Sequence, residues 1–448
     1  MTNTESSTGT TGAGRLVPRL GLASIVVFGL AYMSPSIVVS TFGVIASTAK
    51  GAAPTAYLVA TVAMTLTALS YGKLARAYPE SGSVYTYARR LLDARIGFLA
   101  GWALLLDYFF LPMVAWLITA LYMNVQFPVL STSGWLVVLI VVTTAVNVLG
   151  IVVADRVNKI LLTLTAVALI ALVVVCLHKA SAPTTGSLGS SLWNQTTSIG
   201  AVTAAAAIAA YSFLGFDAVS TLSEEVVDAE RNVPRGILLS VLIGGGIFFV
   251  LALLMQWVHP GGVFKDESTA GFAVATLAGG KGFASVYNVL TLIGGMASCI
   301  AIQASTSRLM YVMGRDGVLP RRAFGYLHPR LRTPVFNLCL VAAAGLLATR
   351  LSLATATSFI NFGAFLAFTV VNVCVIAAWV RFHKQQDHMS TLGYVVLPVL
   401  GAIVDVYLIT KLGPNALLLG IGWLAIGIIY LLVLTRGLRQ APPEFSLD

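Results

Sequence analysis

The sequence is poor in charged residues. Only 10% of its 448 residues are Asp, Glu, Lys or Arg, and 58% are hydrophobic, whereas about a quarter of the residues in an ordinary soluble domain are charged. This composition excludes a water-soluble globular protein. Since a membrane-spanning helix needs about 20 apolar residues, the chain has room for roughly a dozen spans and none for a separate soluble catalytic or DNA-binding domain.

Cysteine and histidine are scarce as well. The four cysteines lie inside apolar runs without CxxC spacing, and the five histidines fall in predicted loops or at helix ends. We therefore expect neither a disulfide framework nor a zinc site. A nucleophile elbow and a phosphate loop are also missing from the sequence. We predict a protein that is not an enzyme and uses no metal or cofactor.

Acidic residues are outnumbered, with 17 Asp and Glu against 27 Lys and Arg, for a net charge of +10. The basic residues lie in the gaps between apolar runs and form no single patch, which argues against a nucleic-acid partner. The N-terminus, the even-numbered loops and the C-terminus hold 21 of them, and the odd-numbered loops hold 6. The positive-inside rule then predicts an inner-membrane protein with both termini in the cytoplasm.

Twelve apolar runs, separated by charges, Gly/Pro clusters or polar loops, predict twelve membrane-spanning helices. We place them at residues 20–46, 55–77, 96–124, 134–154, 158–178, 198–222, 236–258, 284–311, 335–349, 354–380, 393–411 and 415–435. The first run is longer than the core of a signal peptide, so we expect it to be retained. The predicted parts are an N-terminal tail at 1–19, a ten-helix transport core at 20–380, two peripheral helices at 393–435 and a C-terminal tail at 436–448.

Two predicted spans contain helix-breaking residues near the middle of the membrane. The first span has the run 32–36, in which Pro35 lacks an N–H group and clashes with the preceding turn. The sixth has the run 211–217, in which Gly215 lies between aromatic residues. Each break alone is equally well explained as a packing kink. Broken helices at corresponding positions of two five-helix halves, however, are typical of a transporter with a binding site at the middle of the bilayer.

Three acids lie well within apolar runs, namely Asp107, Asp217 and Asp405, and no Lys or Arg does. Intramembrane acids are costly and rarely face lipid. Acids without a fixed base suit a cationic substrate or a proton, and Tyr108 beside Asp107 adds a ring for cation–π contact. The alternative is structural, a carboxyl that caps the end of a broken helix. We favour the structural alternative only for Asp405, which lies outside the predicted ten-helix core.

Charged residues cluster in the loops that follow the sixth and eighth spans. Glu224 and Glu225 begin an acidic run after the sixth span, and Arg308 begins a basic run at the end of the eighth. Opposite charges on adjoining inner loops suit a gate that closes by ion pairing. A solvated charge run explains them equally well.

Seven motifs carry a family resemblance. They are Gly29-Leu30-Ala31-Tyr32-Met33-Ser34-Pro35, Ser70-Tyr71-Gly72-Lys73-Leu74, Gly82-Ser83-Val84-Tyr85-Thr86-Tyr87, Gly101-Trp102 with Leu106-Asp107-Tyr108-Phe109-Phe110-Leu111-Pro112, Phe213-Leu214-Gly215-Phe216-Asp217-Ala218-Val219 with Leu222-Ser223-Glu224-Glu225, Ser307-Arg308-Leu309-Met310-Tyr311-Val312-Met313-Gly314-Arg315-Asp316 and Ile360-Asn361-Phe362-Gly363-Ala364. In this order, across residues 20–435, they resemble the amino acid–polyamine–organocation superfamily, and most closely its bacterial putrescine importer group.

The resemblance implies an all-α, LeuT-type fold of two inverted five-helix repeats plus two peripheral helices, working by alternating access. It also implies a central pocket lined by the unwound parts of spans 1 and 6 together with spans 3, 8 and 10, and a gating role for the aromatic Tyr211. The substrate-binding residues it nominates are Met33, Ser34, Pro35, Ser40, Tyr108, Tyr211, Leu214, Gly215, Asp217, Ile302, Gln303 and Asn361. For coupling or gating we nominate Asp107, Asp217, Glu224 and Glu225.

Two positions depart from the pattern of the importer group. Ser40 stands where that group has an acid in span 1, which removes one anionic partner for a dication. Thr165 stands where some proton-driven relatives have a lysine in span 5. If protons drive transport here, Asp217 or a cytoplasmic Glu is the expected carrier. We predict a proton-coupled importer of a small amine such as putrescine, with an amino acid importer or exchanger as the alternative and a passive channel or a nontransporting sensor as a further class.

Overall fold

A computed structural model of the chain describes residues 20–78, 83–149, 155–180, 187–315, 317–331, 333–384 and 389–443. Within these ranges almost every element is a helix, and the β-type pairing is a single bridge between Leu20 and Val226. Helices are expected because a helix satisfies its own backbone hydrogen bonds, which hydrocarbon cannot do. The predicted all-α class is confirmed.

Sixteen α-helices follow one another in the described residues. They are α1 (Leu22–Met33), α2 (Ile37–Thr48), α3 (Ala53–Ala77), α4 (Ser83–Leu91), α5 (Ala94–Gln126), α6 (Thr132–Val148), α7 (Asp155–Ala180), α8 (Leu188–Leu192), α9 (Ile199–Ala209), α10 (Ala229–Val258), α11 (Ala270–Arg315), α12 (Arg321–Phe324), α13 (Val335–Gly345), α14 (Leu353–Phe382), α15 (Leu397–Lys411) and α16 (Pro414–Leu434). Short 3₁₀ segments extend several of them, among them Ala210–Phe213 and Phe216–Glu225.

Eight helices in the described ranges are long and apolar enough to cross a membrane. The pair α1 and α2, bent by 53° at its break, makes a ninth. Three shorter apolar helices, Thr132–Val148, Thr163–Lys179 and Val335–Arg350, coincide with the predicted fourth, fifth and ninth spans. The structure therefore has many apolar spans, and the count of twelve and the inverted repeat stay predictions.

The eighth predicted span differs from the structure at its start. We expected it to begin at residue 284, but α11 begins at Ala270 and carries a kink at Gly280, whose φ is +81°. Glycine adopts this left-handed conformation without steric cost. The ten residues before the kink add a short helix that packs on α2.

The two broken spans pack against neighbouring helices of the bundle. α1 packs on α10, which also packs along α3, while α5 contacts α11 and α14. The last helix is attached to α5 by a tryptophan pair. The indole Nε1 of Trp102 donates to the backbone oxygen of Trp423, and the Nε1 of Trp423 donates to that of Trp102, both at 2.9 Å.

Candidate functional site

The first break separates α1 from α2. Ser34 ends α1 in a left-handed conformation with φ of +47°, and Pro35 follows it. The N–H of Ile37 bonds to the Ser34 carbonyl at 2.9 Å, so the hydrogen-bond ladder restarts after the proline. Since proline has no N–H group, the carbonyl of Ala31 loses its ordinary partner four residues on. The break thus leaves backbone polar groups inside the bundle.

The second break separates α9 and its 3₁₀ extension from the 3₁₀ segment Phe216–Glu225. Leu214 is extended with ψ of 133°, and Gly215 has φ of +101°. A Cβ on Gly215 would lie 1.9 Å from Cδ1 of the Tyr32 ring. Position 215 therefore requires glycine both for its backbone conformation and for the aromatic ring that lies against it.

The two breaks border one cavity of about 660 Å³. Ten of the predicted substrate-binding residues line it: Met33, Ser34, Pro35, Ser40, Tyr108, Tyr211, Leu214, Gly215, Asp217 and Ile302. Asp107 lines it too. The structure thus brings both broken segments, both nearby acids and helices α5 and α11 to the same space, and their roles in binding stay predictions.

The two cavity acids have different surroundings. Asp217 is 4% exposed, and the backbone N–H groups at residues 215, 217 and 218 interact with its carboxylate. Asp107 is 8% exposed, and its buried Oδ1 has no hydrogen-bond partner in the described part of the chain. The position of Asp217 beside amides at a broken helix end fits the structural alternative, and its role stays a prediction.

Three tyrosines form the aromatic part of the cavity. The side chains of Tyr108 and Tyr32 lie close to each other, and the Thr306 hydroxyl donates to the Tyr108 backbone oxygen at 2.8 Å. Tyr211, the predicted gate, is nearly buried and faces the same space. Rings of this kind stabilise a cation above their faces.

Gln303 and Asn361 lie outside this cavity. Gln303 is buried on the far side of α11, where it accepts from Asn147 at 2.9 Å and donates to Thr144 at 2.8 Å. Ile302 faces the cavity instead, because successive helical residues point in different directions. The Nδ2 of Asn361 donates to the carbonyl of Ala207 at 2.7 Å. Asn361 therefore contacts the end of α9 next to the second break and not the cavity.

The sequence interpretation missed several lining residues. Tyr32 is 40% exposed and faces the cavity, although only its motif was noted. On α11, Ser298, Ala301 and Ser305 are exposed cavity-lining residues. Their spacing of three and four residues is that of one helix face, and small polar residues on such a face inside an apolar run were the signal available in the sequence.

At one end of the cavity, α2 packs closely on the start of α11. A Cβ on Gly43 would lie 2.2 Å from the Glu267 carbonyl oxygen, and one on Gly271 would lie 2.3 Å from the Val39 carbonyl oxygen. The Tyr122 hydroxyl, which lies close to the Ser40 side chain, donates to that Val39 oxygen at 3.3 Å. At both glycines the backbones of α2 and of the segment that starts α11 are therefore in direct contact.

The exposed lining continues towards the other end, where α1 begins and α11 ends. Phe28 on α1 is 37% exposed, and Arg308 follows Ser305 on the exposed face of α11. The predicted gating residue Glu225 lies at this end, where its carbonyl accepts from Leu20 at 3.0 Å. The side chain of Glu224 lies outside the described part of the chain.

Known proteins that this chain is similar to are membrane transporters or permeases. The amino acid permease family matches residues 24–413. The low-affinity putrescine importer PlaP of Escherichia coli (strain K12) is 38% identical over 432 residues, covering 95% of this chain and 96% of the importer. From Bacillus subtilis (strain 168), the methylthioribose transporter is 26% identical over 88% of each chain, and the branched-chain amino acid permease BcaP is 26% identical over 95% of each.

These relatives are transporters and permeases, which confirms that the chain is not an enzyme. The match of the family to most of the chain, together with the apolar helices, makes it a multi-pass membrane protein. The chain belongs to the amino acid permease family within the amino acid–polyamine–organocation superfamily.

Proposed function

We propose that this protein imports a small amine such as putrescine by proton-coupled alternating access. The observation that carries the proposal is the charge of the cavity. Among the described residues that line it, two are acids and none is Lys or Arg. An anionic, aromatic cavity within hydrocarbon favours a cation, because a buried carboxylate without a positive partner is costly.

The relatives support the same substrate class. A putrescine importer shares 38% identity with this chain over almost its whole length, which is well above the 26% shared with the branched-chain amino acid permease. The Ser40 hydroxyl faces the cavity where the importer group has an acid. Ser40 is the feature that favours the second candidate, an amino acid permease, since a zwitterion needs fewer acids than a dication.

The transport cycle we propose follows from the asymmetry of the cavity. Twelve spans, ten of them in two inverted repeats, would place both termini in the cytoplasm, in line with the distribution of Lys and Arg. The end of the cavity where α1 begins is then the inner end. The close packing at Gly43 and Gly271 forms the outer gate. Access switches to the outside when this gate opens and α1 and Phe216–Glu225 close the inner end.

Uptake into proteoliposomes tests this function. We expect the purified protein to accumulate labelled putrescine when the outside is more acidic than the lumen, and unlabelled putrescine to compete better than leucine. For variants in which a cavity acid is neutralised, Asp405→Asn is the matched control. This acid lies away from the cavity, and the asparagine oxygen still accepts from Thr67 and Asn372. Accumulation of leucine but not putrescine would transfer the protein to the amino acid branch.

A further inference from the structure

The two acids of the cavity, Asp217 and Asp107, differ in how far neighbouring groups of the protein offset their negative charge. The Asp217 carboxylate already interacts with three backbone N–H groups at the second break. These groups belong to the start of the segment Phe216–Glu225, where the exposed amides of a helix N-terminus favour negative charge. The fold therefore compensates part of its charge before any substrate binds.

Asp107 has no such compensation. It lies in the middle of α5, where the backbone amides are engaged in the helix, and its Oδ1 is buried without a hydrogen-bond partner among the described residues. More than nine-tenths of its surface is buried, and it faces the cavity. A carboxylate in this position gains most from a positive charge placed in the cavity.

We propose that Asp107, and not Asp217, binds the ammonium group of the substrate, while Asp217 maintains the broken helix. The assignment rests on the proposed function and specifies how its cavity recognises an amine. The sequence nominated Asp217 for both binding and coupling, and Asp107 for coupling or gating with Tyr108 beside it as a possible cation partner. The present assignment gives substrate binding to Asp107 and leaves Asp217 only its structural and coupling roles.

The surroundings of Asp107 suit an alkylammonium ion. Tyr108 is the next residue, and the Tyr32 side chain lies close to it, so a second ring lines the same part of the cavity. Further along α5, Leu111, Ala115 and Ile118 line the cavity at spacings of four and three residues. These apolar side chains form one helix face, along which the methylene chain of an amine anchored at Asp107 can pack.

The test uses n-butylamine, because a ligand with a single ammonium group reports which acid holds it. Dissociation constants for n-butylamine and putrescine would be measured from the ligand-dependent rise in unfolding temperature in detergent, with 1-butanol as the uncharged analogue. The variants are Asp107→Asn, Asp217→Asn and the control Asp405→Asn, in which a buried acid outside the cavity is neutralised in the same way.

We expect Asp107→Asn to raise both dissociation constants by about tenfold to a hundredfold, the worth of a hydrogen bond to a charged group. Asp217→Asn is expected to change them by less than about threefold, because the asparagine oxygen still accepts from the backbone amides. The opposite pattern, with binding lost in Asp217→Asn and kept in Asp107→Asn, would overturn the assignment.

A measurement on the unaltered protein covers the case in which Asp107→Asn does not fold. Dicyclohexylcarbodiimide modifies carboxyl groups in apolar surroundings, and we expect putrescine to slow its reaction at Asp107 more than at Asp405, as located by mass spectrometry. Equal rates with and without putrescine, in a protein that putrescine stabilises, would reject the assignment.

The outcome also separates this inference from the proposed function. If only amino acids stabilise the unaltered protein, the amine function fails, and the same variants are then tested with the stabilising amino acid, which also carries an ammonium group. Loss of its binding in Asp107→Asn alone supports the assignment, and retention overturns it. If no compound stabilises the protein or protects Asp107, both proposals fail.

Discussion

Gly215 is the residue on which the second break depends. Its φ of +101° is a conformation that side chains other than glycine rarely adopt, and the Tyr32 ring occupies the space of a Cβ. Backbone strain and steric overlap act together at this position. Tyr32 lies at the first break and its ring packs against Gly215 at the second. A substitution at Gly215 is therefore expected to alter the cavity wall at both breaks.

We expect Gly215→Ala to lower the unfolding free energy by more than about 1 kcal/mol and to abolish uptake, since Tyr32 must leave the cavity wall. The readouts are the unfolding temperature in detergent and putrescine uptake. Gly246→Ala on α10 is the control, because a Cβ there meets nothing within 4 Å and alanine favours a helix. A Gly215→Ala protein with unaltered stability and uptake would contradict this account of the break.

Asp217 carries the second prediction at this scale. Protonation of the Asp217 carboxylate would remove the negative charge that interacts with the amides at residues 215, 217 and 218. Proton binding is therefore expected to change the geometry of the break. We expect Asp217→Asn to retain exchange of labelled for unlabelled putrescine but to lose accumulation driven by an inward proton gradient. Gradient-driven accumulation by Asp217→Asn would remove Asp217 as the proton carrier.

At the scale of elements, buried amides hold the broken and peripheral helices. Asn372 on α14 donates to Asp405 on α15 at 3.0 Å and accepts from Ser70 on α3 at 2.6 Å. Asn361, about three turns earlier on α14, bonds to carbonyls near the end of α9. Interhelical hydrogen bonds of this kind matter because the membrane offers few other partners to polar groups.

Replacing Asn361 by alanine should therefore destabilise the second break without removing a cavity-lining side chain. The carbonyls of Ala207 and Ile208 would lose their donor, at a cost of about 1–3 kcal/mol. We expect a lower unfolding temperature, measured in detergent, and weaker putrescine binding. Asn415→Ala at the exposed start of α16 is the control; an equal effect of the two substitutions would argue against a role at the break.

At the scale of the whole molecule, the orientation in the membrane is open to a direct test. Val263 is 87% exposed in the loop before α11, and Arg231 is exposed at the start of α10. With both termini in the cytoplasm, we expect a membrane-impermeant thiol reagent to label Val263→Cys in intact cells and Arg231→Cys only after permeabilisation. The native cysteines are replaced by serine beforehand, and the reverse labelling pattern would invert the topology.

The direction in which the cavity opens gives a last prediction. Ser305 is exposed on the cavity face of α11 towards the end where α1 begins. In the same cysteine-free protein, we expect Ser305→Cys to react with an impermeant reagent in inside-out vesicles and to be protected by putrescine. Labelling of Ser305→Cys from the outer side alone would mean that the cavity opens to the other side.

Several features of this molecule follow from local sequence. The scarcity of charge requires membrane helices, Pro35 and Gly215 break two of them, and ten of the twelve nominated binding residues line one cavity. These are short-range effects, because proline and glycine act on their own backbone and apolar periodicity acts within one helix. The helix that precedes the kink at Gly280 escaped prediction, because its ten residues, which come before the glycine-rich run 279–282, are too few to cross a membrane.

The helical membrane class, the positions of the breaks and the family could therefore be read from the amino-acid sequence. Packing of the helices was needed to show that Ile302 faces the cavity while Gln303 meets α6, and that Tyr32 lies against Gly215. The structure also showed that backbone amides interact with the Asp217 carboxylate, whereas the buried Oδ1 of Asp107 has no partner among the described residues. The physical reason is that the surroundings of a side chain are supplied by other helices and by backbone groups freed at a break, and these approach it only when the bundle packs.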